Sequence, residues 1–321
     1  MGSIKNFLLF LFIPRLLVPF ACAEEKIVTT DKAAEISLDG KLFTRYVFAG
    51  APKPFFYPVI GPTGKAVTRA YPMEKVAGES SDHPHQRSIW FTHGAVNGVD
   101  FWSETPAAGK QVQRTLMPGK DGHISVCDWF TVDNKKICED TRTFRFFSSP
   151  STRGMDVVWQ IKASEGALTF GDTKEGSFGI RLADTMKVKG GGGHIENSRG
   201  EKDGDTWGKR AEWVDYYGPV EGETLGIAIF DHPKNFRHPT YWHVRDYGLF
   251  AVNPFGIHDF DVEYVKDANG KEKIVRRQPK GAGDYTVPAG ETLTLRYRIL
   301  VHKGDTASAK IADAWKEYSA K

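Results

Sequence analysis

Turn signals cut this chain into segments too short for helices. Asp39-Gly40, Gly61-Pro-Thr-Gly64, Pro118–Gly122, Glu165-Gly166, Asn269-Gly270 and Ala289-Gly290 all favour tight turns. Pro52, Pro54, Pro58 and Pro62 exclude a helix and leave an extended crossing through Phe55–Ile60. Between the turns, apolar and polar residues alternate as in strands. Ile27–Leu38 and Leu42–Ala49 flank Asp39-Gly40 as a hairpin. Gln111–Met117, Ile124–Thr131, Lys136–Phe147, Met155–Ser164, Ala211–Val220, Thr224–Phe230 and Leu293–Val301 read the same way. Leu168–Phe170, Gly176–Leu182, Tyr247–Val252 and Ile274–Arg277 are further β-like runs. One helix is expected, Thr306–Tyr318: Asp305 can cap it, and Ile311, Trp315 and Tyr318 share a face. The expected fold is all-β, a large antiparallel β-sandwich with a short C-terminal helix. No repeat period or Pro/Ser-rich linker divides it, so residues 24–321 are read as one domain.

Residues 1–23 read as a signal peptide. Lys5 gives a positive start, Phe7–Pro14 and Leu16–Phe20 are apolar, and Ala21-Cys22-Ala23 is a small-residue cleavage site. The mature protein is expected to be exported, to the periplasm or the exterior. No later stretch has the apolar length of a membrane helix. Net charge is +3, and +1 once Lys5 and Arg15 leave with the signal. There is no basic stripe, so nucleic acid is not an expected partner. Cys127 and Cys138 remain on two expected strands joined by a turn, where they are either disulfide-bonded or two buried thiols.

Ser81–Glu104 carries the densest mixture of titratable and aromatic groups: His83, His85, Arg87, Trp90, His93, Asp100 and Trp102. Pro84 holds the preceding residue extended, so His83 and His85 should face one space. Ser88–Thr92 reads as a strand that delivers His93 beside Gly94. Imidazoles here could move protons near neutral pH, with Arg87 holding an anionic or polyhydroxylated ligand. Three histidines could instead hold a divalent metal, or one or two could simply cap loops.

A second cluster, Asp231–Asp246, pairs His232-Pro233 with His238-Pro239 and adds Tyr241, Trp242, His243 and Arg245. It reads as a loop or irregular edge, where function concentrates. Its aromatic rings could stack on sugar faces, or form a corner of the core. Asn197–Lys209, rich in charge and glycine, is long for a structureless connection. Asp82, Asp100, Glu104, Asp184, Glu196 and Asp259 are carboxylates available for glycoside chemistry, though spacing does not pair them. Walker loops, G-x-S-x-G, C-x-x-C and H-E-x-x-H are all missing from the sequence.

At D-H-P-H-Q-R-S-I-W-F-T-H-G-A-V-N-G-V-D-F-W and F-D-H-P-K-N-F-R-H-P-T-Y-W-H-V-R-D-Y-G-L-F-A-V-N-P-F-G the chain resembles a secreted bacterial family of unknown function labelled PmoA-like, or "methane oxygenase". The resemblance runs from Lys53–Pro62 to the terminal helix. The methane monooxygenase subunit of that name is an integral membrane protein, whereas this chain has no spanning stretch after its signal. Members that occur beside sugar oxidoreductases and polysaccharide-degrading enzymes imply a carbohydrate role. A supersandwich like that of galactose mutarotase would fit, and such enzymes use histidines and a carboxylate on a sugar.

The expectation is therefore an exported protein acting on a carbohydrate by hydrolysis, elimination or epimerisation. His85, His93, His238 and His243 are the acid/base candidates. His83, Arg87, Trp90, Trp102, Tyr241, Trp242 and Arg245 are the candidates for holding the sugar. No cofactor is expected, with a divalent metal at the histidine cluster left open. The alternatives are a carbohydrate-binding protein without chemistry and a metal-dependent oxidoreductase, as the family label would have it. The two histidine-rich segments are expected to meet in space.

Overall fold

A computed structural model describes residues 24–267 and 269–321, so the expected signal peptide lies outside the described residues. Two large antiparallel sheets face each other. In spatial order, the first holds Glu25–Thr29, Ala33–Leu38, Lys41–Val47, Phe55–Val59, Ile89–His93, Gly176–Arg181, Leu249–Asn253, Thr240–Val244 and Arg210–Ala211. The second holds His194–Asn197, Trp213–Val220, Glu223–Asp231, Thr292–Lys303, Thr152–Lys162, Lys136–Ser148, Gly122–Phe130 and Lys110–Gly119. The all-β sandwich expected from the turn spacing is the fold observed. Asp39 and Gly40, both at positive φ, make the first hairpin turn as the Asp-Gly dipeptide demands.

The core fills the space between the sheets. Phe91 and Phe178 stack from neighbouring strands, with centroids 4.6 Å apart and planes 7° off parallel. Trp159 meets Phe91 from the opposite sheet. Deep in the same layer, Asp140 accepts hydrogen bonds from Trp129 Nε1 (2.7 Å) and from Arg142 Nε (2.9 Å) and Nη2 (2.7 Å). Arg142 Nη2 also donates to Gln111 Oε1 (2.7 Å), while its Nη1 is buried without an acceptor in the protein.

The three strands Ile89–His93, Gly176–Arg181 and Leu249–Asn253 are buried along their whole length. A central strand covered on both faces loses its alternating pattern. Here one face meets the core, and loops cover the other. Hydrogen-bond register puts Val47, Phe55, Trp90, Gly179, Ala251 and His243 in one row across this outer face.

Some expectations need correction. Thr240–Val244 is a strand, not an irregular edge, because its prolines end at Pro239, before any ladder donor is needed. The C-terminal helix is Ile311–Ser319. Thr306–Lys310 forms turns, and Lys310, at φ +53°, precedes the helix without a side-chain cap. Ile311 and Tyr318 bury against Trp213, Phe230 and Leu300 on the outer face of the second sheet. Cys127 lies opposite Asp140, and Cys138 opposite Trp129. The cysteines are diagonal neighbours, and both are free and buried. Diagonal positions stand roughly 7–8 Å apart, too far for a disulfide.

Candidate functional site

The site sits on the outer face of the first sheet, and its floor follows from one glycine. A Cβ at Gly179 would fall 2.5 Å from Trp90 Cζ2, so the Trp90 indole lies flat across that strand. Trp90 meets Trp102 edge-on at 5.1 Å. Phe55, Leu249 and Ala251 complete this apolar floor.

Over it runs the His83–His85 segment, clamped from beneath by two buried arginines. Arg69 and Arg181 both donate to Asp82 Oδ1, Arg181 Nη2 at 2.7 Å. Arg69 Nη2 also reaches the His83 carbonyl (3.1 Å), and Arg181 Nη1 reaches Gln86 Oε1 (2.6 Å). Burial opposes ionisation of Asp82, but Arg181 and Arg69 outweigh it and draw the carboxyl down to about 2. The clamp holds His83 at φ +45°, a left-handed conformation that costs a non-glycine residue energy. His83 Nδ1 stands 3.1 Å from Asp82 Oδ2, and its ring lies parallel to Tyr247, 5.3 Å away.

His83, His85, Asp100, Trp102, Glu175 and Tyr247 line an open cavity of about 410 Å³. His85 meets His83 edge-on at 5.8 Å. Burial, and then the Lys53 ammonium, hold the His85 imidazole down to about 4, so it is neutral at pH 7. Burial pushes the Glu175 carboxyl up. Asp100 accepts from the Trp102 amide (2.7 Å), the Ser103 amide (3.1 Å) and the Ser103 hydroxyl, so it is a loop-forming group. Glu104 binds Arg87 through two oxygens and Lys53 Nζ at 3.0 Å. Trp102 Nε1 is buried without an acceptor in the protein. A larger cavity of about 490 Å³, lined by Thr29, Phe48, Gln111 and Arg114, contains no histidine.

Of the expected acid/base groups, the structure brings only His85 to this cavity. His93 shares the parity of Ile89 and Phe91 on its strand and turns to the core side. It is wholly buried against Phe170 and Phe255, with Nε2 2.8 Å from the Gly171 carbonyl. His243 lies in the outer row but is 3% exposed, with Nδ1 2.9 Å from the Lys174 carbonyl. His238 is at the rim of the sheet, 2.7 Å from the buried Asp231.

Of the sugar-holding candidates, His83 and Trp102 line the cavity and Trp90 lies under it. Arg87 is bound to Glu104. Trp242 belongs to the core, its Nε1 donating to Ala211 O at 2.9 Å. Tyr241 packs on Phe260, away from the cavity. Arg245 lies over Tyr247, 5.8 Å from its ring centre. What reaches His83 is Tyr247, just past the second segment; Arg245 touches that ring, while His238 and His243 do not line the cavity, so the expected shared pocket is not formed by the two histidine sets. Glu175 and Tyr247 are cavity residues that the sequence reading did not single out. No local pattern marks Glu175, which is about 90 residues from His85 and shares its cavity only because the strand that follows it, Gly176–Arg181, pairs with Ile89–His93.

With His93 turned away, the three-histidine ligand set is not assembled. Among the described residues no group of three or more His, Cys, Asp or Glu is arranged to hold a metal ion. Nor is any described helix long and apolar enough to cross a membrane.

A family model described as "Family of unknown function (DUF6807)" matches residues 33–316. The chain belongs to that family. The PmoA-like label does not come with the match. No curated protein sequence matches the chain. Among solved structures, it is similar to a galactose mutarotase-like protein from Lactobacillus casei, at 9% identity and TM-score 0.40, covering 87% of this chain and all of that one. It is also similar to an α-galactosidase from Geobacillus stearothermophilus, at 10% identity and TM-score 0.39, covering 88% of this chain and 41% of that one. A third similar structure is a β-arabinopyranosidase, at 10% identity and TM-score 0.28, covering 89% and 39%. The chain thus spans about two fifths of the length of these two glycosidases. None of the three reaches a TM-score of 0.5.

Proposed function

We propose that this is an exported enzyme that moves protons on a sugar ring, and that its reaction is epimerisation at the anomeric carbon. The observation that carries the reading is the sharing of one open, aromatic-walled cavity by a neutral imidazole, His85, and a carboxyl with a raised pKa, Glu175. Two titratable groups whose surroundings suit them to opposite roles form an acid/base pair. His85 accepts the proton of the anomeric hydroxyl. Glu175 protonates the ring oxygen as the bond from it to the anomeric carbon breaks. The open-chain aldehyde rotates and recloses on its other face, and both protons return. No nucleophile is needed, and no second free carboxylate. Glycoside hydrolysis asks for two carboxyl groups across the bond. Here Asp100 and Glu104 are both engaged by their own neighbours.

His83 and Tyr247 give the cavity partly exposed aromatic rings against which a sugar can pack, with the buried Trp102 behind them. The apolar runs and small-residue cleavage site read in residues 1–23 support export.

The test is anomer equilibration of freshly dissolved α-aldoses, followed by polarimetry with purified protein. Acceleration that is lost in both His85→Ala and Glu175→Gln supports the reading. Sugar binding without acceleration would instead make this a carbohydrate-binding protein without chemistry.

A further inference from the structure

Next to Tyr247, on the side away from the cavity residues, stands a cation with no counter-ion. Arg245 lies 5.8 Å from the centre of the Trp207 ring and 5.8 Å from that of Tyr247. Among the described residues, no carboxylate comes within ion-pair distance of its guanidinium. The buried arginines and lysine around the site are paired, and the other unpaired cation nearby, Lys174, is exposed. Arg69 and Arg181 share Asp82, and Arg87 and Lys53 share Glu104.

That sharing leaves an excess of positive charge. Four cations, three of them with side chains no more than 2% exposed, face only two carboxylates. Asp100 and Glu175 are the acids on the cavity wall, and burial favours the neutral form of Glu175. Arg245 adds a fifth cation. A half-buried guanidinium seated on two rings is pre-organised, and its planar fork matches a carboxylate. Trp207 supplies one of those rings, and its indole N–H finds no acceptor in the protein. It belongs to the charged, glycine-rich connection Asn197–Lys209, which has no part in the acid/base chemistry.

We propose that Arg245, with Trp207, receives the carboxylate of an acidic sugar, so that the substrate class is a uronic acid rather than a neutral aldose. This rests on the sugar reading above and narrows it. Tyr247 joins the two parts: the sugar ring lies on the His83 side of it, and the exocyclic carboxylate reaches Arg245.

Galacturonate and glucuronate differ from galactose and glucose only in carrying a carboxylate where the parent has a hydroxymethyl group. Binding of all four is measured by calorimetry at low salt, together with galactose 6-sulfate. We expect a uronate to bind at least about 10-fold tighter than its parent. Arg245→Gln should erase that ratio while leaving affinity for the parent unchanged, and Arg245→Lys should restore part of it. Melting temperatures of both variants check that they fold.

Equal binding of uronate and parent by the wild type would overturn the acidic-sugar assignment and leave the sugar reading standing. So would tighter binding of the sulfate ester than of the uronate. An unchanged ratio in Arg245→Gln would overturn the role of Arg245. Binding of none of the five would reject the sugar reading itself.

Discussion

His83 lies parallel to Tyr247, with ring centroids 5.3 Å apart and planes 7° from parallel. Arg181 stands 4.9 Å from the same tyrosine ring. The imidazole thus takes its orientation from an aromatic face and from Asp82, not from the strained loop that carries it. Tyr247→Phe keeps the ring and should bind sugar within about twofold of wild type, whereas Tyr247→Ala should lose roughly 10-fold. Titration of both variants with one sugar checks this. Equal affinity in Tyr247→Ala would show that the stack is not part of the binding surface.

The acid/base assignment predicts both a magnitude and a pH profile. His85→Ala should lower turnover by roughly 10²–10⁴-fold, with a much smaller change in sugar affinity. A base must be neutral to accept a proton. Burial, then Lys53, hold His85 down to about 4, so kcat/KM should fall on acidification only near pH 4 and not near the 6.5 of free imidazole. Glu175 must be protonated to act, so activity should also fall as pH rises through its raised pKa. Lys53→Met removes the nearby cation and should move the acid limb toward neutral pH. An acid limb that stays at the same pH in Lys53→Met would argue against His85 as the base.

The architecture was legible because turns are local. Asp39-Gly40 specifies its hairpin through two residues, and the proline run specifies its extended crossing through four. His83 and His85 do share one space as expected, but not by the extended backbone that Pro84 implied: His83 is left-handed, held by the Arg69–Arg181–Asp82 clamp that spacing does not show. His93 was misplaced although the sequence carried the correction. On a strand it shares a side with Ile89 and Phe91, and those are core residues. Arg87 and Glu104 looked like separate candidates because an ion pair closing over 17 positions leaves no trace in spacing. Glu175 and Tyr247 were illegible for the same reason. What places them is the pairing of three strands far apart in the chain, and register is a tertiary property.

Gly179 holds the floor of the site. Replacing it with alanine would press a methyl into the Trp90 indole, whose Cζ2, Cε2 and Cη2 all lie within 2.9 Å of the new atom. Trp90 is fully buried and packs with Phe55 and Trp102, so it must displace them to make room. Gly179→Ala should therefore cost about 1–3 kcal/mol. It should also weaken sugar binding, because Trp102 leans on Trp90. Glycine at this position is needed for close approach, not for its backbone angles. A denaturant melt and one binding curve suffice, and an unperturbed midpoint would mean that the indole can slide without loss.

Stability should fall on acidification through the pH range where free histidine titrates, and buried histidines should carry the slope. His93 and His243 are both held at about 4 by burial, against about 6.5 for the unfolded chain. Between those values the unfolded state binds protons that the folded state refuses, so stability is full above about pH 6.5 and drops toward pH 4. Each contributes up to about 1.4 kcal/mol per pH unit, and the less buried His85 adds in the same direction. His302 does not oppose them in this window. Its ion pair with Asp215 raises its pKa against the cost of burial, so its contribution is present below 6.5 and is lost as pH rises through the folded value. Glu175 and Asp231 do oppose, since burial raises both and their folded forms take up protons first. Urea midpoints at pH 7, 6 and 5 should therefore decline for the wild type. His93→Gln, whatever it costs at pH 7, should decline less steeply by about one proton. A slope unchanged in that variant would mean that His93 accepts its proton inside the fold.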